Sequence, residues 1–134
     1  GGAGGGFARV LREAGVAQEL AGLGAGLALP PLVLGWLVAA FIRVATGSAT
    51  VAATTAAGLL VPMLAANPGV PPALMVLAVG FGSLVVSHLN DGGFWIVKDA
   101  LGLSVGQTLR TWTALETILG VAGLGATLLL SLCL

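Results

Sequence analysis

Two long stretches without a charged side chain constrain this chain more than any other feature. Residues 23–42 form an uncharged run of about twenty residues, which Arg43 closes, and residues 44–66 are uncharged as well. Twenty helical residues cross a hydrocarbon core of about 30 Å. Charged residues make up only 7% of the 134 residues and the mean hydropathy is +1.09, whereas soluble domains carry roughly a quarter charged residues. The sequence therefore predicts an all-α, polytopic membrane protein.

Proline, glycine and charge divide the chain into five segments. A Gly-rich start leads into an amphipathic stretch expected at the membrane interface, although a solvent-facing connector would show the same pattern. Neither an initiator Met nor a signal peptide opens the sequence, so we expect a fragment that lacks an N-terminal portion. The predicted segments are an interfacial helix (1–22), a membrane segment with a re-entrant hairpin (23–66), a discontinuous membrane helix (73–97), a connector (98–110) and a final transmembrane helix (111–134).

Small side chains and hydroxyls make up almost all of residues 44–58. Lipid-facing helices prefer larger apolar residues, so this segment is expected to pack against other helices or a ligand. The arms on either side are each about fifteen residues, short for a full span, which predicts a re-entrant hairpin with its tip at 47–50. Two full spans joined by a tight turn are the alternative. A helix N-terminus at the tip suits a carboxylate, with Gly47, Ser48 and Thr50 as candidate substrate contacts; alternatively, the hydroxyls only cap the helix.

A polar, Gly-rich break at residues 87–93 interrupts the next apolar segment. Non-helical backbone at membrane depth is tolerated where it is buried in protein or lines a cavity, and such breaks often form ligand sites in transporters. Asp91 is the first candidate for proton coupling because ionisable residues inside a membrane are costly. His88 lies three residues earlier, on the same face of a helix, and could share this proton. The alternative for Asp91 is a structural ion pair with Arg43 or Lys98. The candidate substrate contacts in the break are Asn90, Asp91, Gly92 and Gly93.

Arg43 has three candidate roles: contact with an anionic substrate, an ion pair with Asp91, or snorkelling to lipid head groups. We interpret Glu116 and Arg110 as an interfacial anchor at the start of the last span. One histidine and one cysteine are too few for a zinc site, and the sequence shows no nucleophile–base pattern or phosphate loop. We therefore expect no metal, no cofactor and no enzymatic activity. Zero net charge without a basic block argues against nucleic acid as a partner.

Three stretches of the sequence resemble the C-terminal third of bacterial gluconate permeases, and the resemblance covers nearly the whole chain. The stretches are Arg43-Val44-Ala45-Thr46-Gly47-Ser48-Ala49-Thr50-Val51-Ala52, Ser87-His88-Leu89-Asn90-Asp91-Gly92-Gly93-Phe94-Trp95, and Gln107-Thr108-Leu109-Arg110-Thr111-Trp112-Thr113 with Glu116-Thr117. The resemblance implies a secondary active transporter for proton-coupled uptake of gluconate or a related sugar acid across the bacterial inner membrane. It also implies an inverted-repeat fold of an ion-transporter superfamily, with paired re-entrant hairpins.

In that superfamily a Ser-Asn-Thr motif at the hairpin tips binds the substrate carboxylate and a cation. Ser48-Ala49-Thr50 occupies the corresponding place, and the lost amide at Ala49 favours a proton over sodium as the coupling ion. The resemblance further implies a second hairpin and a second broken helix from a missing N-terminal half, and we also expect a homodimer in the lipid bilayer. Two alternatives stay open: a transporter of the same superfamily for another organic anion or an amino acid, and a non-transporting membrane scaffold subunit.

Overall fold

The computed structural model of the chain describes residues 2–16, 18–19, 22, 26 and 29–134. Most of residues 17–28, which include the end of the predicted interfacial segment and the start of the first membrane segment, lie outside the described residues. The regular elements are α1 (Gly2–Glu13), α2 (Pro31–Thr46), α3 (Ala49–Ala66), α4 (Pro72–Gly82), α5 (Gly92–Ala100), α6 (Val105–Thr108), a π-helical turn (Leu109–Thr113) and α7 (Ala114–Cys133). All of these described elements are helical, which confirms the predicted all-α class.

Helices α2 and α3 form an antiparallel pair joined at Gly47 and Ser48. Pro31 occupies the first turn of α2, where its missing N–H costs nothing. Helix α2 ends because Gly47 adopts a left-handed conformation (φ 70°), with its N–H donated to the Arg43 carbonyl at 2.8 Å. Ser48 is extended, and its Oγ caps α3 by accepting the Val51 N–H at 3.3 Å. The predicted turn is therefore present, and the re-entrant placement of this pair stays a prediction.

The chain leaves helical geometry between α4 and α5 earlier than the sequence suggested. We expected the break at residues 87–93, but α4 ends at Gly82 and α5 begins at Gly92, so the non-helical stretch covers residues 83–91. Val86, at φ 50°, lies in the left-handed region that β-branched residues avoid. Another helix satisfies the backbone there, since the Val86 N–H donates to Thr117 Oγ1 at 3.1 Å. The sequence around Val86 is an apolar run, and this local pattern does not indicate that a distant helix bonds to the backbone there. We call residues 83–91 the break.

The last helical segment also begins earlier than predicted. Residues 98–110 were assigned to a connector, whereas α5 continues to Ala100 and a continuous helical run extends from Val105 to Cys133 through the π-helical turn. Ser104 begins this run with a capping box, as its hydroxyl accepts the Gln107 N–H at 3.1 Å and the Gln107 side chain accepts the Ser104 N–H at 2.8 Å. The cap makes the polar residues after Ser104 helical.

Helices α2, α3 and α4 pack around a common apolar core. Its most buried members include Ala39, Ala52, Ala56, Leu59, Leu60, Leu74, Met75 and Ala78. Helix α7 approaches α4 closely because Gly120 and Gly123 lack side chains where Val85 and the Phe81 ring lie. Trp36 Nε1 on α2 reinforces this contact by donating to the Gly120 carbonyl at 2.8 Å.

Two helical stretches of the described chain are long and apolar enough to cross a membrane, namely α3 and the run Val105–Cys133. Helices α2 and α4 are apolar but shorter. Large apolar side chains of α7 are exposed, including Leu115, Ile118, Leu119, Val121, Leu129, Leu130 and Leu132. An exposed surface of this kind suits lipid or further helices, in agreement with the predicted membrane protein.

Candidate functional site

The turn between α2 and α3 lies directly against the break. Gly47 is buried, and a Cβ at this position would overlap the carbonyl group of Asn90. The Asn90 side chain in turn donates from Nδ2 to the Val44 carbonyl at 2.9 Å. This bond satisfies a carbonyl in the last turn of α2 that has no partner within its own helix. The structure therefore brings together the two regions that the sequence identified separately.

Two helix N-termini begin on either side of this contact. Helix α3 starts two residues after Gly47, and α5 starts two residues after Asn90. Each has its own cap, since Ser48 Oγ accepts the Val51 N–H and Asp91 Oδ1 accepts the Gly93 N–H at 2.9 Å. The positive ends of two helix dipoles and the first N–H groups of each helix thus lie near one another. Of the predicted contacts, Thr50, Gly92 and Asn90 are exposed and Ser48 is partly buried.

Arg43 lies beneath the turn and is 2% exposed. Its Nη2 lies 2.6 Å from Asp91 Oδ2 and 3.4 Å from Glu116 Oε2. Of the three roles considered for Arg43, snorkelling is wrong because the guanidinium is buried, and the ion pair with Asp91 is observed. Nε and Nη1 of Arg43 are buried without a hydrogen-bond partner among the described residues. Buried donors are normally paired, so an acceptor for them is to be sought outside the described residues.

Ser87 connects Asp91 to the last helical run. The Ser87 hydroxyl donates to Asp91 Oδ2 and accepts from Trp112 Nε1 at 3.0 Å. Thr113 donates its hydroxyl proton to the Ser87 carbonyl. Trp112 and Thr113 both belong to the π-helical turn, and such turns often occur at functional sites. The turn therefore presents two side chains to one residue of the break.

The environment of His88 differs from the expected one. His88 and Asp91 were placed on one helical face, but the break is not helical, and the two residues are joined instead by the Asp91 N–H donating to the His88 carbonyl at 2.9 Å. The Asp91 carboxylate bonds to Arg43, Ser87 and Gly93 within the described chain. The geometric reason for a shared proton is thus absent.

Sequence reasoning gave Glu116 and Lys98 the wrong partners. Glu116 was paired with Arg110 as an interfacial anchor, yet it contacts Arg43. Lys98 was an alternative partner for Asp91, yet its Nζ lies 3.0 Å from Asp99 on the surface. Sequence reasoning also gave no role in the site to Trp112, Thr113 and Thr117. Their spacing of three to four residues along one helix, together with Glu116 and Gly120, is the signal that would have indicated a shared face.

Comparison with known proteins gives a consistent result over the whole chain. Residues 1–133 match the family described as GntP family permease. The chain is 54% identical to a gluconate permease of Pseudomonas aeruginosa over 99% of its own length and 30% of that relative. It is 47% identical to a high-affinity gluconate transporter of Escherichia coli, over 98% of the chain and 30% of the relative. It is 50% identical to a Gnt-II system L-idonate transporter of Escherichia coli, over 90% of the chain and 27% of the relative. No solved structure matches the chain.

Proposed function

Because this chain belongs to the GntP family of permeases, we propose that it forms part of a secondary active transporter for gluconate or a related sugar acid. The chain spans about 30% of the length of the curated relatives it matches. Uptake is therefore a property of a longer protein, and this segment supplies one side of its substrate site. The rest of the transporter, including a second hairpin and a second broken helix, supplies the other side.

The observation that carries this proposal is the contact between Gly47 and Asn90, which brings two helix N-termini together. A sugar acid offers one carboxylate and several hydroxyls. Helix N-termini bind carboxylates through free N–H groups and the positive dipole end, and the hydroxyls of Ser48 and Thr50 with the Asn90 amide suit the substrate hydroxyls. Glycine at positions 92 and 93 permits close approach of a ligand to the backbone of α5.

Arg43 adds a positive charge to the same region. Asp91 compensates that charge, yet two nitrogen atoms of the guanidinium have no acceptor among the described residues. A carboxylate of the substrate can serve as this acceptor, because guanidinium groups bind carboxylates with two parallel hydrogen bonds. In this proposal the helix N-termini attract the sugar acid, and Nε and Nη1 of Arg43 bind its carboxylate once the atoms that bury them move aside.

We place the transporter in the bacterial inner membrane as a multi-pass protein, with the α2–α3 pair as a re-entrant hairpin and with a homodimer as its assembly. The proposed coupling ion is the proton. Ala49 stands at the tip where an amide would add a cation ligand, and the Ser48–Thr50 segment therefore has fewer oxygen ligands for sodium.

Uptake of labelled gluconate by cells that express the complete transporter tests this function. Gluconate and L-idonate in excess should compete, whereas a dicarboxylate and an amino acid should not. If the dicarboxylate or the amino acid competes and the two sugar acids do not, a transporter for another organic anion or an amino acid is favoured. Absence of uptake and of binding for the whole panel would favour a membrane scaffold subunit, provided that the protein is present in the membrane.

A further inference from the structure

One nitrogen atom of Arg43 serves two carboxylates. Nη2 is 2.6 Å from Asp91 and 3.4 Å from Glu116, and the side chains of both acids are 15% exposed. With both acids ionised, the cluster of one guanidinium and two carboxylates carries a net charge of −1. An uncompensated charge is costly at membrane depth, so this cluster gains stability by taking up one proton.

The two carboxylates differ in what they would lose on protonation. Asp91 accepts from the Arg43 guanidinium, the Ser87 hydroxyl and the Gly93 N–H. Glu116 has only the longer contact with Arg43 among the described residues. Hydrogen bonds to a carboxylate favour its charged form. A proton on Asp91 would weaken three bonds, whereas a proton on Glu116 would weaken one.

The charged groups around Glu116 come from two neighbouring elements. Helix α2 contributes Arg43, and the break contributes Asp91. His88, the other titratable group of the break, makes no side-chain hydrogen bond to either acid in the described chain. Besides the burial of the Glu116 side chain, the attraction of Arg43 and the repulsion from Asp91 therefore act on its charge within the described chain.

Within the proposed function, on which this inference rests, we propose that Glu116 is the residue that binds the transported proton. The proton passes from the outer aqueous phase to a Glu116 carboxylate oxygen, forms an O–H bond there, and leaves to the cytoplasm after the sugar acid is released. Protonation removes the ion pair of Glu116 with Arg43 and leaves a neutral Arg43–Asp91 pair.

The position of Arg43 explains how this proton would act on the substrate site. The Arg43 carbonyl accepts the N–H of Gly47, so the guanidinium extends from the helical turn that carries the α2–α3 connection. Helix α7 meanwhile stays bound to the break through Thr117 and the π-helical turn. Loss of the Glu116 contact therefore weakens the attachment of α2 to α7, with the Trp36–Gly120 hydrogen bond still in place, while the break keeps its position.

The test uses the complete transporter in proteoliposomes and three variants, Glu116→Gln, Glu116→Asp and the matched control Asp99→Asn. Asp99 is a carboxylate of α5 that lies on the surface with a 74% exposed side chain. Two readouts are measured: gluconate exchange without a proton gradient, and accumulation driven by an imposed gradient. One coupled proton gives about tenfold accumulation per pH unit of gradient.

Glu116→Gln should keep exchange and lose accumulation, so that its concentration ratio stays near one. Glu116→Asp should keep accumulation with a shifted pH dependence, and Asp99→Asn should match the parent protein. Accumulation in Glu116→Gln with unchanged pH dependence would overturn the role of Glu116. If Glu116→Gln fails to fold, unaltered pH dependence in Glu116→Asp overturns it instead. A parent protein that exchanges no sugar acid would refute the proposed function itself. This outcome differs from those that overturn only the role of Glu116.

Discussion

The guanidinium of Arg43 extends from the last turn of α2 to the residue that caps α5, where its Nη2 lies 2.6 Å from Asp91 Oδ2. This ion pair joins the α2–α3 turn to the break at a buried position. Asn90 makes a second link between the same two elements through the Val44 carbonyl. The two irregular regions are therefore held together by side chains as well as by backbone contact at Gly47, and changes at either should affect both.

Substitution of Arg43 by Gln should destabilise the complete transporter strongly. Loss of one partner from a buried ion pair leaves an uncompensated charge and costs about 3–5 kcal/mol. The measurement is thermal unfolding of the purified protein in detergent. The double variant Arg43→Gln/Asp91→Asn should unfold at a higher temperature than Arg43→Gln alone, because it removes one of the two carboxylates that Arg43→Gln leaves without the guanidinium.

The matched control for this experiment is Lys98→Gln. Lys98 pairs with Asp99 on the surface, and the side chain of Asp99 is 74% exposed. Surface pairs contribute about 0–1 kcal/mol, so this variant should unfold close to the parent temperature. Equal losses for Arg43→Gln and Lys98→Gln would contradict the buried ion pair.

Substitution of Gly47 by Ala should separate the turn from the break. The φ of 70° at Gly47 costs an L-residue roughly 1–2 kcal/mol, and the added Cβ would overlap the Asn90 carbonyl group. We expect lower stability and a lower affinity for the sugar acid, measured by unfolding and by binding titration. Gly58→Ala is the control, because a Cβ at Gly58 meets nothing within 4 Å and alanine favours the helix. A Gly47→Ala protein that binds and unfolds like Gly58→Ala would show that the close contact is unimportant.

Substitution of Thr113 by Val should loosen the break from the last helical run. The Thr113 hydroxyl is a hydrogen-bond donor to the Ser87 carbonyl, and loss of such a donor costs about 1–3 kcal/mol. Thr111→Val is matched in chemistry, but the Thr111 hydroxyl donates to the Gln107 carbonyl of its own helical run and makes no other hydrogen bond in the part of the chain that the structure describes. Hydrogen exchange of the amides in residues 83–91 should rise in Thr113→Val and stay unchanged in Thr111→Val. A similar rise in both variants would argue against the specific contact.

The sequence predicted the helical class and the turn at Gly47 and Ser48, because each depends on local chemistry. It began the break four residues too late, since the backbone of Val86 and Ser87 is satisfied by Thr117 and Thr113 about thirty positions away. The partner of Glu116 was missed for the same reason. Arg110 is near Glu116 along the chain, whereas Arg43 approaches it only after α2, the break and α7 have packed together. Local patterns locate irregular backbone, and tertiary contacts decide which side chains meet there.

Labelling of a cysteine at position 50 should distinguish a re-entrant hairpin from two full spans. Thr50 is exposed at the start of α3, and Asn67 lies in the loop at its other end. In a Cys133→Ser background, which removes the exposed native thiol, an impermeant thiol reagent is applied to either side of the membrane. A re-entrant hairpin predicts slow labelling of Thr50→Cys, from the side where the cavity is open, and protection by gluconate. Asn67→Cys should label rapidly with or without gluconate. Two full spans instead predict rapid labelling of Thr50→Cys from the side opposite to Asn67→Cys, without protection, and this outcome would overturn the re-entrant placement.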